Sequence, residues 1–176
     1  MKPKLLKLVI VIIIYFLSLG LSYSEENQLK LIKIIKDYHN QYSPDSNELK
    51  INKLLIDRDN KLCEEISLNV NNWSGKIKKI DTNMEGKGIL ELVIDKDIFI
   101  QTWNNAFSDL MDNTLIEVDS KVYNQLIEFN KNQEVQFSGS FISVSDGCFS
   151  LQNITKKSKL TKPEFTFKFS NIETAN

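Results

Sequence analysis

Histidine occurs once in this chain of 176 residues, cysteine and tryptophan occur twice each, and basic residues are not in excess over acidic ones. The single histidine, His39, has no serine or cysteine nucleophile that the sequence pairs with it, so nothing favours a hydrolytic triad. The two cysteines, Cys63 and Cys148, do not have the short spacings of zinc ligands, so we expect no metal. No motif implies a cofactor, and the sequence favours a protein that is not an enzyme.

The sequence has one long apolar run, from Leu8 to Leu21, which follows three lysines and precedes the small residues Ser22 and Ser24. A basic start, an apolar stretch and a small-x-small cleavage site are typical of a secretory signal peptide, here residues 1–24. An uncleaved membrane anchor is the alternative, since the run is only slightly shorter than a spanning helix. We therefore expect an exported protein, periplasmic or secreted, that contacts the membrane only if this segment is uncleaved.

The charge balance is slightly acidic, with 22 basic and 23 acidic side chains. Removal of residues 1–24 would take away three lysines and no acid, which leaves a net charge of −4. Binding to a nucleic-acid backbone depends on many Lys and Arg contacts to phosphates. Nucleic acid is therefore a disfavoured partner.

Export changes how the two cysteines are interpreted. An even number of cysteines in an oxidising compartment predicts disulfides, so we expect Cys63 and Cys148 to be bridged, with two unrelated thiols as the alternative. The bridge would close a loop of about 85 residues and stabilise the fold by about 4 kcal/mol in the chain-entropy model.

Two amphipathic helices are predicted first. Apolar residues recur at helical spacing between residues 28 and 40, and Pro44 ends that pattern. A second helix is predicted over about residues 47–65, with Asp45 or Ser46 as its N-cap.

After Val70 the apolar residues alternate, as in β-strands. The first strand slips at its paired lysines, 78–79, which predicts a bulge, and Gly75 and Gly139 predict sharp bends inside strands. One stretch, KVYNQLIEF, returns to helical spacing between the third and fourth strands. The five predicted strands are WSGKIKKID, GILELVID, IFIQTWN, EVQFSGSFISV and EFTFKFSNI.

Three consecutive strands, a helix and two closing strands are the order of an OB-fold barrel. We predict an α+β protein in which N-terminal helices precede an OB-fold-like small β-barrel, with a helix between strands 3 and 4. The predicted division is a signal peptide at 1–24, an N-terminal helical segment at 25–69 and an OB-like β-barrel domain at 70–176.

Five stretches between Asn72 and Ile172 carry a family resemblance: NWSGKIKKIDTNMEGKGILELVI, TWNNAFSDLMDNTLI, VQFSGSFI, GCFS and PEFTFKFSNI. The most specific parts are Trp-Asn-Asn, Phe-Ser-Gly-Ser-Phe and Pro163 before the last strand. This region resembles a group of small exported bacterial proteins of uncharacterised function with a tRNA-anticodon-like OB fold. The resemblance implies a fold and export, and it brings no established catalytic residues.

The stretch TWNNAFSDLMD, residues 102–112, follows the third strand and holds an indole, two carboxamides and two carboxylates. Such groups at a strand end can carry chemistry, but they also close turns. A hydrolase would need Asp109 and Asp112 at a defined separation across a substrate. A turn in which these carboxylates accept backbone N–H bonds is the simpler interpretation, so we predict a rigid connection that shapes the barrel.

Binding is then the leading functional hypothesis. Trp73 and Trp103 would provide a stacking surface of the kind that OB folds use for oligonucleotides or sugars. Asn104, Asn105 and Asp109 complete the predicted ligand-binding residues. We expect a non-catalytic module of the cell envelope that binds an envelope protein or a small ligand. The alternatives are a small envelope hydrolase that uses Asp109 or Asp112 and a single-stranded nucleic-acid-binding OB protein.

Two further stretches have competing interpretations. In DTNMEGKG, Asp81, Asn83 and Glu85 match places one, three and five of a calcium loop, but place twelve is a leucine. A hairpin turn with positive φ at Gly86 and Gly88 explains the same residues. The basic stretch KKSKLTK, which ends just before the last strand, is either a contact for an anionic ligand or a charged hairpin tip.

Overall fold

A computed structural model describes residues 24–144 and 148–175. Helices come first and a five-stranded sheet follows, so the predicted α+β order is confirmed, including the helix between the third and fourth strands. The predicted signal peptide lies outside the described residues except for Ser24. In chain order the elements are α1 (described over 24–39), α2 (Glu48–Glu65), β1 (Asn69–Thr82), β2 (Gly88–Asp95), β3 (Ile98–Gln101), α3 (Lys121–Leu126), β4 (Glu134–Phe141), α4 (Lys156–Thr161) and β5 (Glu164–Thr174).

The five strands form one mixed sheet that closes into a ring in the order β1-β2-β3-β5-β4. All neighbours are antiparallel except β3 and β5, which run parallel. The 14-residue β1 closes the ring because its first half pairs with β4 and its second half pairs with β2. A register shift between Ile77 and Lys79 is the predicted bulge.

Neighbouring atoms leave no room for a side chain at Gly139 and only tight space for one at Gly75. At Gly139, where the β4–β5 register shifts, a Cβ would lie 2.6 Å from the ring of Phe167. At Gly75 a Cβ would lie 3.3 Å from the ring of Phe137. A larger residue at Gly139 would therefore push two strands of the ring apart.

The inside of the ring is filled by aromatic and branched residues from all five strands. Phe167 lies edge-to-face against Phe137 and Phe141, with ring centroids 5.6 and 5.1 Å apart. Trp73 belongs to the same cluster and lies 5.7 Å from Phe141. Burial of each such side chain stabilises the fold by about 2–3 kcal/mol, so the cluster is the main source of cohesion in the ring.

The N-terminal helices share this core. Leu31 and Ile35 of α1 and Leu62 of α2 are buried in the same cluster as the ring residues. Gln28 of α1 also pairs with the backbone of Ser74 in β1, since its Nε2 donates to the carbonyl at 2.6 Å and its Oε1 accepts from the amide at 2.8 Å. The helices therefore cover the end of the ring at which β1 begins.

Two bonds join α2 to the chain between β4 and β5. The disulfide between Cys63 and Cys148 is present, with Cα atoms 5.3 Å apart, and confirms the predicted pairing. Arg58, which is fully buried, donates from Nη1 to the carbonyl of Lys159 at 2.5 Å and pairs with Asp59 at 2.6 Å.

A disulfide indicates an oxidising environment. Among the described residues, no helix has the length and apolar character needed to cross a membrane.

Two predicted local details are wrong. The N-cap of α2 is Asn47, whose side chain accepts the backbone N–H three residues later at 2.9 Å, and neither Asp45 nor Ser46 has this role. In the β1–β2 turn Gly86 has a φ of 81°, as predicted, but Gly88 does not have a positive φ. Gly88 opens β2, and a Cβ there would lie only 3.2 Å from a neighbouring isoleucine.

The basic stretch before β5 is not the predicted hairpin tip. It forms the short helix α4, which is capped by Thr155, since the Oγ1 of Thr155 accepts from the amide of Ser158 at 3.1 Å. Leu160 of α4 is fully buried against three apolar residues of α2. This tertiary contact stabilises a helix that is too short to persist alone.

Candidate functional site

Four of the five predicted ligand-binding residues lie in the β3–α3 connection, residues 102–120. The fifth, Trp73, is only 1% exposed, so the predicted stacking surface at this residue is wrong. Trp73 lies on the inward face of β1, where it packs edge-on against Phe137 and Phe141. It stabilises the core and is not accessible to a ligand base or sugar.

Asp109 lies at the centre of the β3–α3 connection and is 6% exposed. Its Oδ1 accepts from the backbone amide and the hydroxyl of Thr114 at 2.5 and 2.7 Å, and its Oδ2 accepts from the amide of Leu115 at 3.0 Å. Hydrogen bonds to a carboxylate are among the strong ones in proteins. Both oxygens of Asp109 are therefore used to hold the connection, in agreement with the turn interpretation.

Trp103 is half-buried and fixed by two contacts. Its Nε1 donates to Oδ2 of Asp112 at 2.7 Å, and its backbone amide donates to the hydroxyl of Thr114 at 2.8 Å. A glycosidase pair needs two carboxylates that face one substrate. Here Asp109 faces the backbone and Asp112 faces an indole, so this geometry does not favour the hydrolase alternative.

The middle of the connection is a short helical turn that begins at Asn105. The Oδ1 of Asn105 accepts from the amide of Ser108 at 2.9 Å, as at a helix N-cap. Backbone bonds of the i+4 type follow, from Asp109 to Asn105 at 3.3 Å and from Asn113 to Asp109 at 3.0 Å. These bonds close two successive turns, from Asn105 to Asp109 and from Asp109 to Asn113.

Three large apolar side chains of the turn are exposed: Phe107 by 84%, Leu110 by 68% and Met111 by 89%. They occupy positions i, i+3 and i+4, and we call them the apolar tip. An amphipathic turn normally buries its apolar face, but here the polar face, with Asp109, is the buried one. The sequence does not reveal the tip, because the same spacing normally indicates a core contact.

The sequence of the β3–α3 connection is acidic. Residues 102–120 contain four carboxylates and no basic side chain. Glu117 is paired with Lys87 at 2.7 Å, and this hydrogen bond raises the pKa of Lys87 above its ordinary value. Asp119 is exposed, and the next basic residue in the chain is Lys121.

Asn104 and Asn105 are exposed and bonded to each other, with Nδ2 of Asn105 donating to Oδ1 of Asn104 at 2.7 Å. A polar hollow of about 70 Å³ lies beside Asn104 on the outer face of β2 and β3. Gln101 and Gln152 line it and bond to each other at 3.1 Å. The hollow has room for on the order of two water molecules, so it does not accommodate an organic ligand.

A groove of about 780 Å³ lies between α1 and the outer side of β1 and β2. Its volume falls in the range of small-molecule sites. None of the predicted site residues lines it, and its rim carries equal numbers of both charges, so it selects neither anions nor cations. The charged rim residues are Lys76, Lys78, Lys96, Glu25, Asp95 and Glu134.

Two lysines of the basic stretch have intramolecular partners. Lys157 lies over the ring of Tyr42 at 5.9 Å, and Lys162 lies over the ring of Phe99 at 4.8 Å. Such cation–π contacts hold the ammonium groups against the protein. The stretch therefore contributes to the packing of α4 in addition to any contact with anions.

The stretch DTNMEGKG forms a turn in which Asn83 uses its side chain internally. The Oδ1 of Asn83 accepts from the amides of Glu85 and Lys87 at 3.0 and 2.9 Å. The pKa of Asp81 is lowered, chiefly by a hydrogen bond from the amide of Thr82. Within residues 24–144 and 148–175, no group of three or more His, Cys, Asp or Glu side chains is placed to hold a metal ion.

Comparison of the chain with protein-family models, with curated proteins and with solved structures gives no match.

Proposed function

We propose that this protein is an exported, OB-like recognition module that binds another protein through the apolar tip of its β3–α3 connection. The ring order β1-β2-β3-β5-β4, with α3 between β3 and β4, supports the OB-like assignment, because the OB fold is a five-stranded Greek-key barrel. The likeness to small exported bacterial proteins with a tRNA-anticodon-like OB fold belongs to the same proposal.

Export is supported by two independent features. The N-terminal sequence has the three parts of a signal peptide. The bond between Cys63 and Cys148 belongs to the class of disulfides that form and persist in oxidising compartments. A cell-envelope or extracellular partner follows from that location.

One observation carries the binding proposal: the connection buries the carboxylate of Asp109 and exposes the three apolar side chains of the tip. Asp109 fixes the turn from inside, while Phe107, Leu110 and Met111 stand outside it. Exposed apolar groups on a rigid support lose little conformational entropy on binding, which favours their use as contacts. Aromatic residues and Met are also enriched at the centres of protein interfaces.

Site-specific photo-crosslinking in the exporting cell tests the proposal. A photoreactive phenylalanine analogue replaces Phe107 in one variant and Ile154 in the control, since Ile154 is 97% exposed but lies outside the tip. We expect a discrete protein adduct from position 107 and none of the same size from position 154. The absence of an adduct at 107, or identical adducts at both positions, would overturn the proposal.

A further inference from the structure

We infer that the basic stretch, residues 156–162, and the exposed Ile154 beside it form a surface that binds the anionic phospholipids of a membrane. The inference rests on the proposed export of the chain, since an envelope protein meets such surfaces, but not on the proposed contact of the apolar tip. It concerns a contact of the folded domain and does not require the N-terminal apolar segment.

The basic stretch carries four positive charges that no carboxylate neutralises. Within residues 24–144 and 148–175, none of its lysines lies within ion-pair distance of an acidic side chain. Residues 148–163 contain no Asp or Glu, although the whole chain is slightly acidic. Clusters of four or more basic residues are attracted to anionic lipid surfaces. The four lysines are Lys156, Lys157, Lys159 and Lys162.

Two carboxylates of the neighbouring helix α2 have partners of their own. Asp59 is paired with the buried Arg58 at 2.6 Å, and Asp57 is paired with Lys53 at 2.6 Å. Arg58 also donates to the α4 carbonyl of Lys159, so Asp59 is bonded to the group that fixes α4. These two carboxylates therefore do not cancel the charge of the basic stretch.

The ring contacts of the basic stretch position charge without removing it. Lys157 lies over Tyr42 at 5.9 Å and Lys162 lies over Phe99 at 4.8 Å, and both lysines are exposed. A cation–π contact leaves the ammonium group charged. Both ends of the stretch thus present a positive charge from a defined place on the protein.

Ile154 adds an apolar group to this charged surface. It is 97% exposed and lies two residues before the first lysine of the stretch. The preceding Asn153 is buried, donates to the carbonyl of Lys162 at 3.1 Å and accepts from the amide of Glu164 at 2.8 Å. Ile154 is therefore held beside α4. Membrane surfaces bind proteins that combine apolar area with basic charge, whereas a free phosphate offers no place for the isoleucine.

The topology places this surface away from the apolar tip. β3 and β5 run parallel, with Phe99 paired to Glu164 and Gln101 paired to Thr166. The residues before β5 therefore lie at the end where β3 begins, and the connection that carries the tip leaves from the other end of β3. A protein bound to a membrane through the basic stretch would keep the tip accessible to a partner.

Co-sedimentation with lipid vesicles tests the inference. The oxidised protein, purified from the exporting cell, is mixed with vesicles of phosphatidylcholine alone or with about one third phosphatidylglycerol, at low and high salt. An uncleaved N-terminal segment would bind both kinds of vesicle. The readout is therefore the ratio of the two partition coefficients in one preparation.

The variants separate local charge from total charge. Lys156→Gln together with Lys159→Gln removes two charges that make no ring contact. Lys121→Gln together with Lys131→Gln, at the start of α3 and after it, changes the net charge equally. Neither control lysine forms an ion pair in the part of the chain that the structure describes. Ile154→Ser removes the apolar group.

We expect the wild type to partition at least about tenfold more strongly into the anionic vesicles at low salt, with a smaller ratio at high salt. The Lys156 and Lys159 variant should lose about tenfold of this binding, and the Lys121 and Lys131 variant less than about twofold. Ile154→Ser should lose about threefold. Phe107→Ser should leave the ratio unchanged.

Equal partition into both kinds of vesicle would overturn the inference, and this comparison needs no variant. Equal losses in the two double variants would also overturn it, because net charge and not the basic stretch would then be responsible. A single-stranded oligonucleotide serves as a soluble polyanion, and tighter binding to it than to the anionic vesicles would have the same meaning. A crosslinked adduct at position 107 with no vesicle preference would leave the proposed function standing and remove only the membrane contact.

Discussion

Residues 103–115 of the β3–α3 connection and the β4–β5 connection, residues 142–163, differ in the range of the bonds that hold them. Bonds within the first join residues that are close in sequence, such as Asp109 to Thr114 and Trp103 to Asp112. The second is tied to distant parts of the chain, through the disulfide of Cys148 and through the α4 carbonyl that Arg58 contacts.

Individual apolar side chains of the two connections differ in exposure, although Ile154 of the β4–β5 connection is also exposed. In the β4–β5 connection Leu160 is fully buried and Phe149 is 9% exposed, because α2 and the ring cover them. In the β3–α3 connection Phe107 is 84% exposed. Bonds of Asp109 thus hold the part of the connection that carries Phe107, while Leu115 and Ile116, later in the same connection, are buried.

Removal of the disulfide should have the largest effect on stability. We expect the Cys63→Ser, Cys148→Ser double variant to lose about 4 kcal/mol of unfolding free energy, because the unfolded chain gains the entropy of an open loop. Urea denaturation followed by tryptophan fluorescence measures this loss. Amide exchange should become faster at Ser150, in the β4–β5 connection, and should exceed any change at Thr114.

The reduced wild-type protein is the matched control for this variant, and it should unfold at the same urea concentration. An unfolding midpoint equal to that of the oxidised wild type would contradict the prediction. Equal acceleration of amide exchange in both connections would show that the disulfide stabilises the β3–α3 connection as much as it stabilises the β4–β5 connection.

Removal of the Asp109 carboxylate should cause the next largest loss of unfolding free energy. Asp109→Ala leaves the buried amides of Thr114 and Leu115 without acceptors, at a cost of about 3 kcal/mol. Asp109→Asn keeps one oxygen and should lose less. The pattern of amide exchange should be the reverse of that in the disulfide variant, with the fastest change at Thr114 and Leu115.

Asp112→Asn serves as the control, since an amide oxygen can still accept the N–H of Trp103. It should change the unfolding free energy much less than Asp109→Ala does. If the two variants were equally stable, the buried network would not be what fixes the β3–α3 connection.

A smaller loss of unfolding free energy is expected when the contact between Arg58 and α4 is removed. Arg58→Met keeps the apolar stem but removes the donor to the Lys159 carbonyl, which should cost about 2 kcal/mol. Amide exchange should become faster in α4 and should stay unchanged in the β3–α3 connection. Lys53→Met on the exposed face of α2 is the control, because its surface pair with Asp57 is worth little. An unfolding free energy equal to that of wild type would contradict this prediction.

The order of the elements could be predicted because it depends on local signals. Alternating apolar residues define β5, where Phe165, Phe167 and Phe169 all face the core. Pro44 separates the first two helices, and the paired lysines at 78–79 mark the bulge in β1. These patterns act within a few residues, so a single sequence contains them.

One of the wrong predictions concerns a choice that tertiary contacts decide. α4 forms because Leu160 packs against α2. The charge pattern of that stretch does not indicate this contact. Trp73 is a different case, since its alternation with Gly75 and Ile77 already indicates the inward face of β1. Its assignment to a ligand surface relied on residue type and not on this periodicity.

The candidate site was predictable only in part. The turn role of Asp109 follows from its short-range bonds to Thr114 and Leu115, which a polar loop sequence suggests. The exposure of Phe107 does not follow from the sequence, because it depends on the absence of any described element that packs over the turn. A local pattern can show that a face is apolar, but only the fold shows whether the chain covers it.

The smallest effect on stability is expected at the tip itself. Replacing Phe107, Leu110 and Met111 together by serine should change the unfolding free energy by only about 0.5 kcal/mol, because these side chains are already in water. The same change at Phe149 removes a ring that packs 4.9 Å from Phe141 and should destabilise the protein far more. Urea denaturation of both variants checks this difference. A large loss in the tip variant would mean that these residues stabilise the chain, and the apolar tip would then no longer be a surface reserved for a partner.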